Sequence, residues 1–136
     1  HELVQRLKKS SLNVVMVVHC NHANEIDDEV ANALKKMHQA GLHVLNQSVL
    51  LKDINDDLAS LTALSERLFS CHVLPYYLHL LDPVIGAHHF DVSQACGQNL
   101  MLALQNNLPG FLVPKLVREV DGRPSKTPIP TPLSPI

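Results

Sequence analysis

The sequence predicts an α/β fold, the C-terminal portion of a partial (βα) barrel with parallel strands and an extended, proline-rich C-terminal tail. Strand-like apolar runs alternate with segments of helical apolar spacing, one pair for roughly every thirty residues. The first run, Val14 to Val18, is continuously apolar, as suits a parallel strand covered on both faces. Prolines cluster only at the end of the chain, where Pro124, Pro128, Pro130, Pro132 and Pro135 exclude a regular helix or a central strand.

Residues Glu2 to Lys9, with Leu3 and Leu7 on one face, read as the last turns of a helix whose own strand is absent. After the run at Val14 to Val18, the spacing of Ile26, Val30, Ala33, Leu34 and Met37 predicts a helix. Asn24 is its candidate cap, with Asp27 and Asp28 at the positive end of its dipole. Lys35, Lys36 and His38 lie at the other end, and Gly41 is placed to terminate it. Residues 43–51 form the second strand, followed by a turn at 53–56 and a helix marked by Leu58, Leu61, Leu64 and Leu68. A third strand spans Val73 to Leu80. Beyond a loop rich in Pro, Gly and His, a helix is expected from Val92 to Leu108, with Asp91 as cap. Phe111 to Val120 either returns to the sheet or lies across its end.

This divides the chain into three βα units of a truncated barrel (1–110) and a final segment with the proline-rich tail (111–136). Three or four units do not close a barrel of eight, so we expect a fragment. The first strand then has an open edge, a route to homo-oligomers.

Of 136 residues, 46% are hydrophobic and 18% charged, which fills a core and excludes a disordered polymer. The formal net charge of -2 argues against nucleic-acid partners. No apolar run approaches the ~18 residues of a spanning helix, and no basic amphipathic stretch points to a membrane surface. The first ten residues do not read as a signal peptide, so the expected location is cytoplasmic. Cys20, Cys71 and Cys96 form no CxxC pair and are expected to be ordinary buried thiols of a reducing compartment. Histidine crowding at His19, Cys20 and His22 and at His88-His89 raises a metal site as a rival reading. The spacing does not match HExxH, and we expect no metal ligands.

Ligands of parallel α/β proteins collect at the C-terminal ends of the strands. Four polar clusters fall there: residues 19–25, residues 46–48, His79 with Asp82, Gly86, His88 and His89, and residues 118–127. Their segments, HCNHANEI (19–26), LNQSVLLKDIND (45–56), PYYLHLLDPVIGAHHF (75–90) and PGFLVPKLVREVDGRPSKTP (109–128), resemble successive motifs of the lysine 2,3-aminomutases. The resemblance is strongest to the bacterial branch that makes (R)-β-lysine for elongation factor P. It runs from about residue 12 to 128, in order and spacing.

The resemblance implies a radical SAM isomerase that turns L-α-lysine into β-lysine, using pyridoxal phosphate, S-adenosylmethionine and a [4Fe–4S] cluster. It matches the coenzyme-holding lysine to Lys126, whose amine would form the Schiff base. The bottom-up alternative is a solvated lysine in a tail. Asp82 and Glu119 match the two acids that bind the distal ammonium of substrate lysine, although clostridial-type members carry aspartate at the second position. Otherwise Asp82 caps a turn before Pro83, and Glu119 pairs with Arg118 or Arg123. His19 and Gln47 match positions that hydrogen-bond S-adenosylmethionine, while His79 stands where other members carry an aromatic residue. The family's CxxxCxxC cluster motif is not in these residues, and its arginines for substrate carboxylate and coenzyme phosphate are expected upstream. The expected partners are therefore L-lysine and the missing N-terminal half of the enzyme, and this chain alone is expected to be inactive. Other readings are a non-catalytic binding or regulatory module that keeps part of the fold, a stable proteolytic or engineered piece, or a different amino-acid mutase.

Overall fold

Helices and strands alternate along the chain as the periodicity predicts. The computed structural model describes residues 2–81 and 88–136. Its main elements are α1 (Glu2–Lys9), β1 (Val15–His19), α2 (Asp28–Gln39), β2 (His43–Leu50), α3 (Leu58–Ser70), β3 (Leu74–Leu80), α4 (Gln94–Asn107), β4 (Lys115–Arg118) and β5 (Thr127–Pro128). They build one five-stranded sheet in the order β1-β2-β3-β4-β5. The first four strands are parallel, and β5 runs antiparallel to β4.

Strands that stay in sequence order, each joined to the next through a helix, put their helices on a single face. Burial along β2 shows this directly: Val44, Asn46, Ser48 and Leu50 are buried, while the alternate residues are half-buried or exposed. One core cluster joins Ala31 and Leu34 of α2 and Leu64 and Leu68 of α3 to Val44. A second joins Leu61 of α3 and Met101 and Leu104 of α4 to Leu50, Leu78, Leu80 and Leu116. Gly97 lets α4 lie close on the sheet, since a Cβ there would sit 3.4 Å from Leu116 Cδ2 and 3.5 Å from Leu50 Cδ2. Two-sided burial of the first strand is not what the structure shows: Val15 is 53% exposed, and β1 packs one face against α2. Among the described residues no strand pairs with the outer edge of β1.

Two caps differ from the sequence expectation. Asn24 belongs to a separate 3-10 turn, Ala23–Glu25, capped by His22, whose Nδ1 accepts from the Asn24 N–H. That turn delays the helix, and Asp27 caps α2 by accepting from the Val30 N–H at 2.9 Å. Likewise Ser93, not Asp91, caps α4, which begins at Gln94 rather than Val92. Gly41 does end α2, at φ +85, with the Leu42 N–H on the Met37 carbonyl and the Gly41 N–H on the His38 carbonyl. This six-to-one and five-to-two pair is a Schellman ending. Cys20 and Cys71 are buried free thiols as expected, but Cys96 is only half-buried.

The stretch from Phe111 resolves in favour of the sheet, supplying β4 beside β3. The proline-rich tail is extended but adds the edge strand β5, where Ile129 N–H donates to Leu116 O at 2.9 Å. Farther on, Gln98 of α4 donates to the Pro130 carbonyl, and the Asn99 side chain both donates to and accepts from the main chain of Ile136.

Candidate functional site

The face without helices carries the odd-numbered residues of β1, β2 and β4 and, from Tyr77 onward, of β3, and the C-terminal ends of these strands converge. His19 ends β1 in register with Gln47 of β2, and His79 of β3 lies between Val49 and Val117. His19, Gln47, His79, Glu119 and Lys126 line one open cleft of about 360 Å³. Val49, Leu80 and Leu81 supply apolar wall, and Asp121 a second carboxylate. Four of the five residues singled out from sequence are thus brought together. The fifth, Asp82, lies outside the described residues, directly after Leu81.

Lys126 precedes β5 and donates from Nζ to Glu119 Oε1 at 3.0 Å. Neither sequence-based alternative for these two residues describes that pairing. The Lys126 side chain is 26% exposed and that of Glu119 73%, so the amine is the sheltered partner. Glu119 directly follows β4, so the two residues bracket a single loop. The hydrogen bond from Lys126, and then its charge, hold the Glu119 carboxyl below the ordinary carboxylate range. His79 is pushed down from the usual imidazole value, first by burial and then by the Lys126 charge. Glu119 opposes this and His19 adds to it. A half-buried imidazole near the Lys126 ammonium favours its neutral form.

An aromatic neighbour was not anticipated from sequence. The β2–β3 register slips between Asn46↔Pro75 and Gln47↔Tyr77, leaving Tyr76 as an extra residue. Such a bulge turns consecutive side chains toward one face, and the Tyr76 and Tyr77 rings stack with centroids 3.8 Å apart. Lys126 Nζ stands 5.8 Å from the Tyr77 centroid, within cation–π range. Pro75 was the available signal, because proline inside a sheet marks an edge or a bulge.

Three asparagines hold the rim. Asn46, 1% exposed, accepts from the Cys20 N–H at 2.9 Å and donates to the Cys20 carbonyl at 3.0 Å. Asn21 accepts from the Val49 N–H. Asn55, fully buried, accepts from Leu51 N–H and donates to the carbonyls of Asn21 and Val49. The loops after β1 and β2 are thereby fastened together, which fixes His19 and Gln47 beside each other. The turn at 53–56 was legible in sequence, but the role of Asn55 was not, since a turn asparagine ordinarily serves its own turn.

Burial, and then the nearby Glu25 charge, push the Cys20 thiol up, leaving it a neutral core group. Among the described residues no three His, Cys, Asp or Glu side chains gather closely enough to hold a metal ion. Nor is any helix among them long and apolar enough to cross a membrane.

Sheet and helix layer define the class: part of a (βα) fold with a mostly parallel sheet. A solved radical SAM methyltransferase from Sphaerobacter thermophilus shares this fold with a TM-score of 0.62 at 16% identity, over 86% of this chain and 37% of that one. Sequence is more specific. The L-lysine 2,3-aminomutase of Escherichia coli K12 is 48% identical over 127 residues, covering 93% of this chain. That of Haemophilus influenzae is 48% identical over 126 residues, with the same 93% coverage. The L-lysine 2,3-aminomutase of Clostridium subterminale is 35% identical over 128 residues, 94% of this chain and 30% of that protein. Over this span the chain is similar in sequence to L-lysine 2,3-aminomutases. It spans 37% of the length of the Escherichia coli and Haemophilus influenzae relatives. No family model matches the sequence.

Proposed function

We propose that this chain supplies the coenzyme lysine and one wall of the substrate site of an enzyme that converts L-α-lysine to β-lysine. The observation that carries the reading is the Lys126–Glu119 pair in a cleft shared with His19, Gln47 and His79. Residues 1–110 then act as the βα scaffold, and 111–136 as the segment that presents Lys126.

The residues present fit pyridoxal phosphate: a sheltered primary amine opens onto the cleft beside the Tyr77 ring. Bound there through Lys126, the group would supply a conjugated ring able to delocalise an unpaired electron. The chain's own residues do the positioning. Lys126 offers the attaching nitrogen, and Tyr77 flanks it. Glu119, with Asp82 as the second acid, binds the distal ammonium of substrate lysine by charge-assisted contacts. Val49, Leu80 and Leu81 keep water from the substrate's methylenes. His19 and Gln47, held by the asparagine clamp, hydrogen-bond the nucleoside of S-adenosylmethionine. A [4Fe–4S] cluster does not fit the described residues, which offer no ligand triplet, and the sequence has no CxxxCxxC motif. Cluster ligands then come from polypeptide outside these 136 residues, as the resemblance also implies for the anion-binding arginines, and the chain alone is expected to form no β-lysine. The motif resemblance at residues 19–26, 45–56, 75–90 and 109–128 favours elongation factor P as the destination of the product, in the cytoplasm.

The test is to mix the chain with pyridoxal phosphate, reduce with borohydride and map the added mass. Addition concentrated on Lys126 supports the reading. Addition spread evenly over exposed lysines such as Lys8, Lys9 and Lys35 sinks it.

A further inference from the structure

We propose that Glu119 serves two cations in turn: the Lys126 ammonium in the resting protein, and the primary ammonium of an incoming ligand once the Lys126 charge is gone. This deepens the reading above, resting on Lys126 as the coenzyme lysine for its biological meaning. The exchange itself depends only on the geometry of the pair.

Several observations carry it. Lys126 Nζ already occupies Glu119 Oε1 at 3.0 Å, so the acid assigned to a substrate ammonium is not vacant in the resting protein. The Lys126 stem is the sheltered partner, at 26% exposure against 73% for Glu119. A ligand can therefore reach the carboxylate from solvent but cannot bind beside Lys126 without meeting its charge. Two ammonium groups about 4 Å apart repel even in water, and more strongly near a protein surface. The other charged or titratable groups around Glu119, in this cleft and the adjoining cavity, are His79 on β3, His19 on β1, and Asp121 and Arg123 on the same loop. Neutral His79 does not compete for the carboxylate, and Asp121 adds attraction for a cation. Val49, Leu80 and Leu81 give the methylene stem of a primary alkylammonium an apolar surface.

Linkage then makes the coupling reciprocal. Whatever removes the Lys126 charge strengthens ammonium binding at Glu119. An ammonium bound at Glu119 in turn disfavours the charged form of Lys126. The site accepts an amine substrate more readily once its lysine has been engaged, which favours coenzyme loading before substrate binding.

The experiment follows backbone amides around Glu119 and Lys126 by NMR while pentylammonium chloride is added to the full chain at low salt. It compares the parent chain with Lys126→Gln, Lys126→Arg and the double variant Lys126→Gln/Glu119→Gln. Lys126→Gln is expected to bind the probe about three- to five-fold more tightly, the scale of an exposed ion pair. Lys126→Arg keeps the charge and should match the parent, and the double variant should lose the gain. Lys126→Met substitutes for Lys126→Gln if the latter's spectrum shows loss of fold. Equal affinity of the parent and the neutral variant overturns the proposal, as does a gain that survives Glu119→Gln. If the exchange is seen but borohydride fixes no coenzyme on Lys126, the coenzyme reading falls while the cation exchange stands.

Discussion

Replacing Asn46 tests the asparagine clamp most directly. Its carboxamide satisfies both main-chain groups of Cys20 from a position 1% exposed to solvent. Asn46→Leu keeps the branching and heavy-atom count but strips partners from a buried N–H and a buried C=O. Each orphaned group costs about 1–3 kcal/mol, so the two together should cost about 2–6 kcal/mol, a large part of the ~5–15 kcal/mol total of a domain. Asn46→Asp separates charge from shape. A neutral carboxyl there can still accept from Cys20 N–H and donate to Cys20 O, whereas the ionised form points charge at a carbonyl. Burial raises the folded-state pKa of that carboxyl above its unfolded value. The stability it retains is therefore full below the unfolded carboxyl range and is lost as pH rises through the folded value. Urea unfolding followed by circular dichroism at about pH 4 and 7 should show Asn46→Asp closer to the parent at the acid pH. Asn46→Leu, measured as a difference from the parent, should show no such trend. A cost below ~1 kcal/mol for Asn46→Leu, or an Asn46→Asp deficit independent of pH, would refute the reasoning.

Asp57 caps α3 by accepting from Ser60 N–H at 2.7 Å, so Asp57→Ala should cost about 0.5–2 kcal/mol in urea unfolding near neutrality. Hydrogen bonds from the backbone and side chain of Ser60 hold its carboxyl below the ordinary value. Its contribution is present above the unfolded carboxyl range and is lost as pH falls through the depressed folded value, so parent and variant should converge in acid. Gly41→Ala meets no atom within 4 Å but forces a side chain to φ +85, and should lower stability by about 1 kcal/mol through the backbone alone. Leu78→Ala, at a fully buried position in the second core cluster, should cost about 2–5 kcal/mol in the same assay.

Elements whose signal is local were legible in sequence. Leu58, Leu61, Leu64 and Leu68 mark a helix because three- and four-residue spacing is itself the cause of its buried face. Gly41 ends α2 because only its backbone tolerates the left-handed turn. The residues brought to the rim, His19, Gln47, Glu119 and Lys126, were legible through their motifs. Features that depend on partners distant in sequence were not. Asn24 and Asp27 both suit a cap, and only the 3-10 turn set by His22 and Glu25 decides between them. The continuous run at Val14 to Val18 matched a strand covered on both faces, yet what covers a strand depends on neighbours the run does not encode. The Lys126–Glu119 pair arises because β5 folds back antiparallel on β4, bringing together side chains seven positions apart.

That fold-back makes residues 119–126 the tip of a hairpin whose base is pinned by Arg118 opposite Thr127 and Val117 opposite Pro128. Downstream, Ile129 is buried in the core, and Pro130 and Ile136 are tied to α4. Both residues of the ion pair stand next to the pinned base, while Val120 to Ser125 arch outward into solvent. Lengthening a flexible loop is inexpensive, about 0.6 kcal/mol for each doubling. Residues can therefore be inserted between Asp121 and Pro124, or exchanged there, without uprooting the amine or its carboxylate. The arch is a region where relatives can diverge and fine-tune what enters the cleft, on a foundation that stays put.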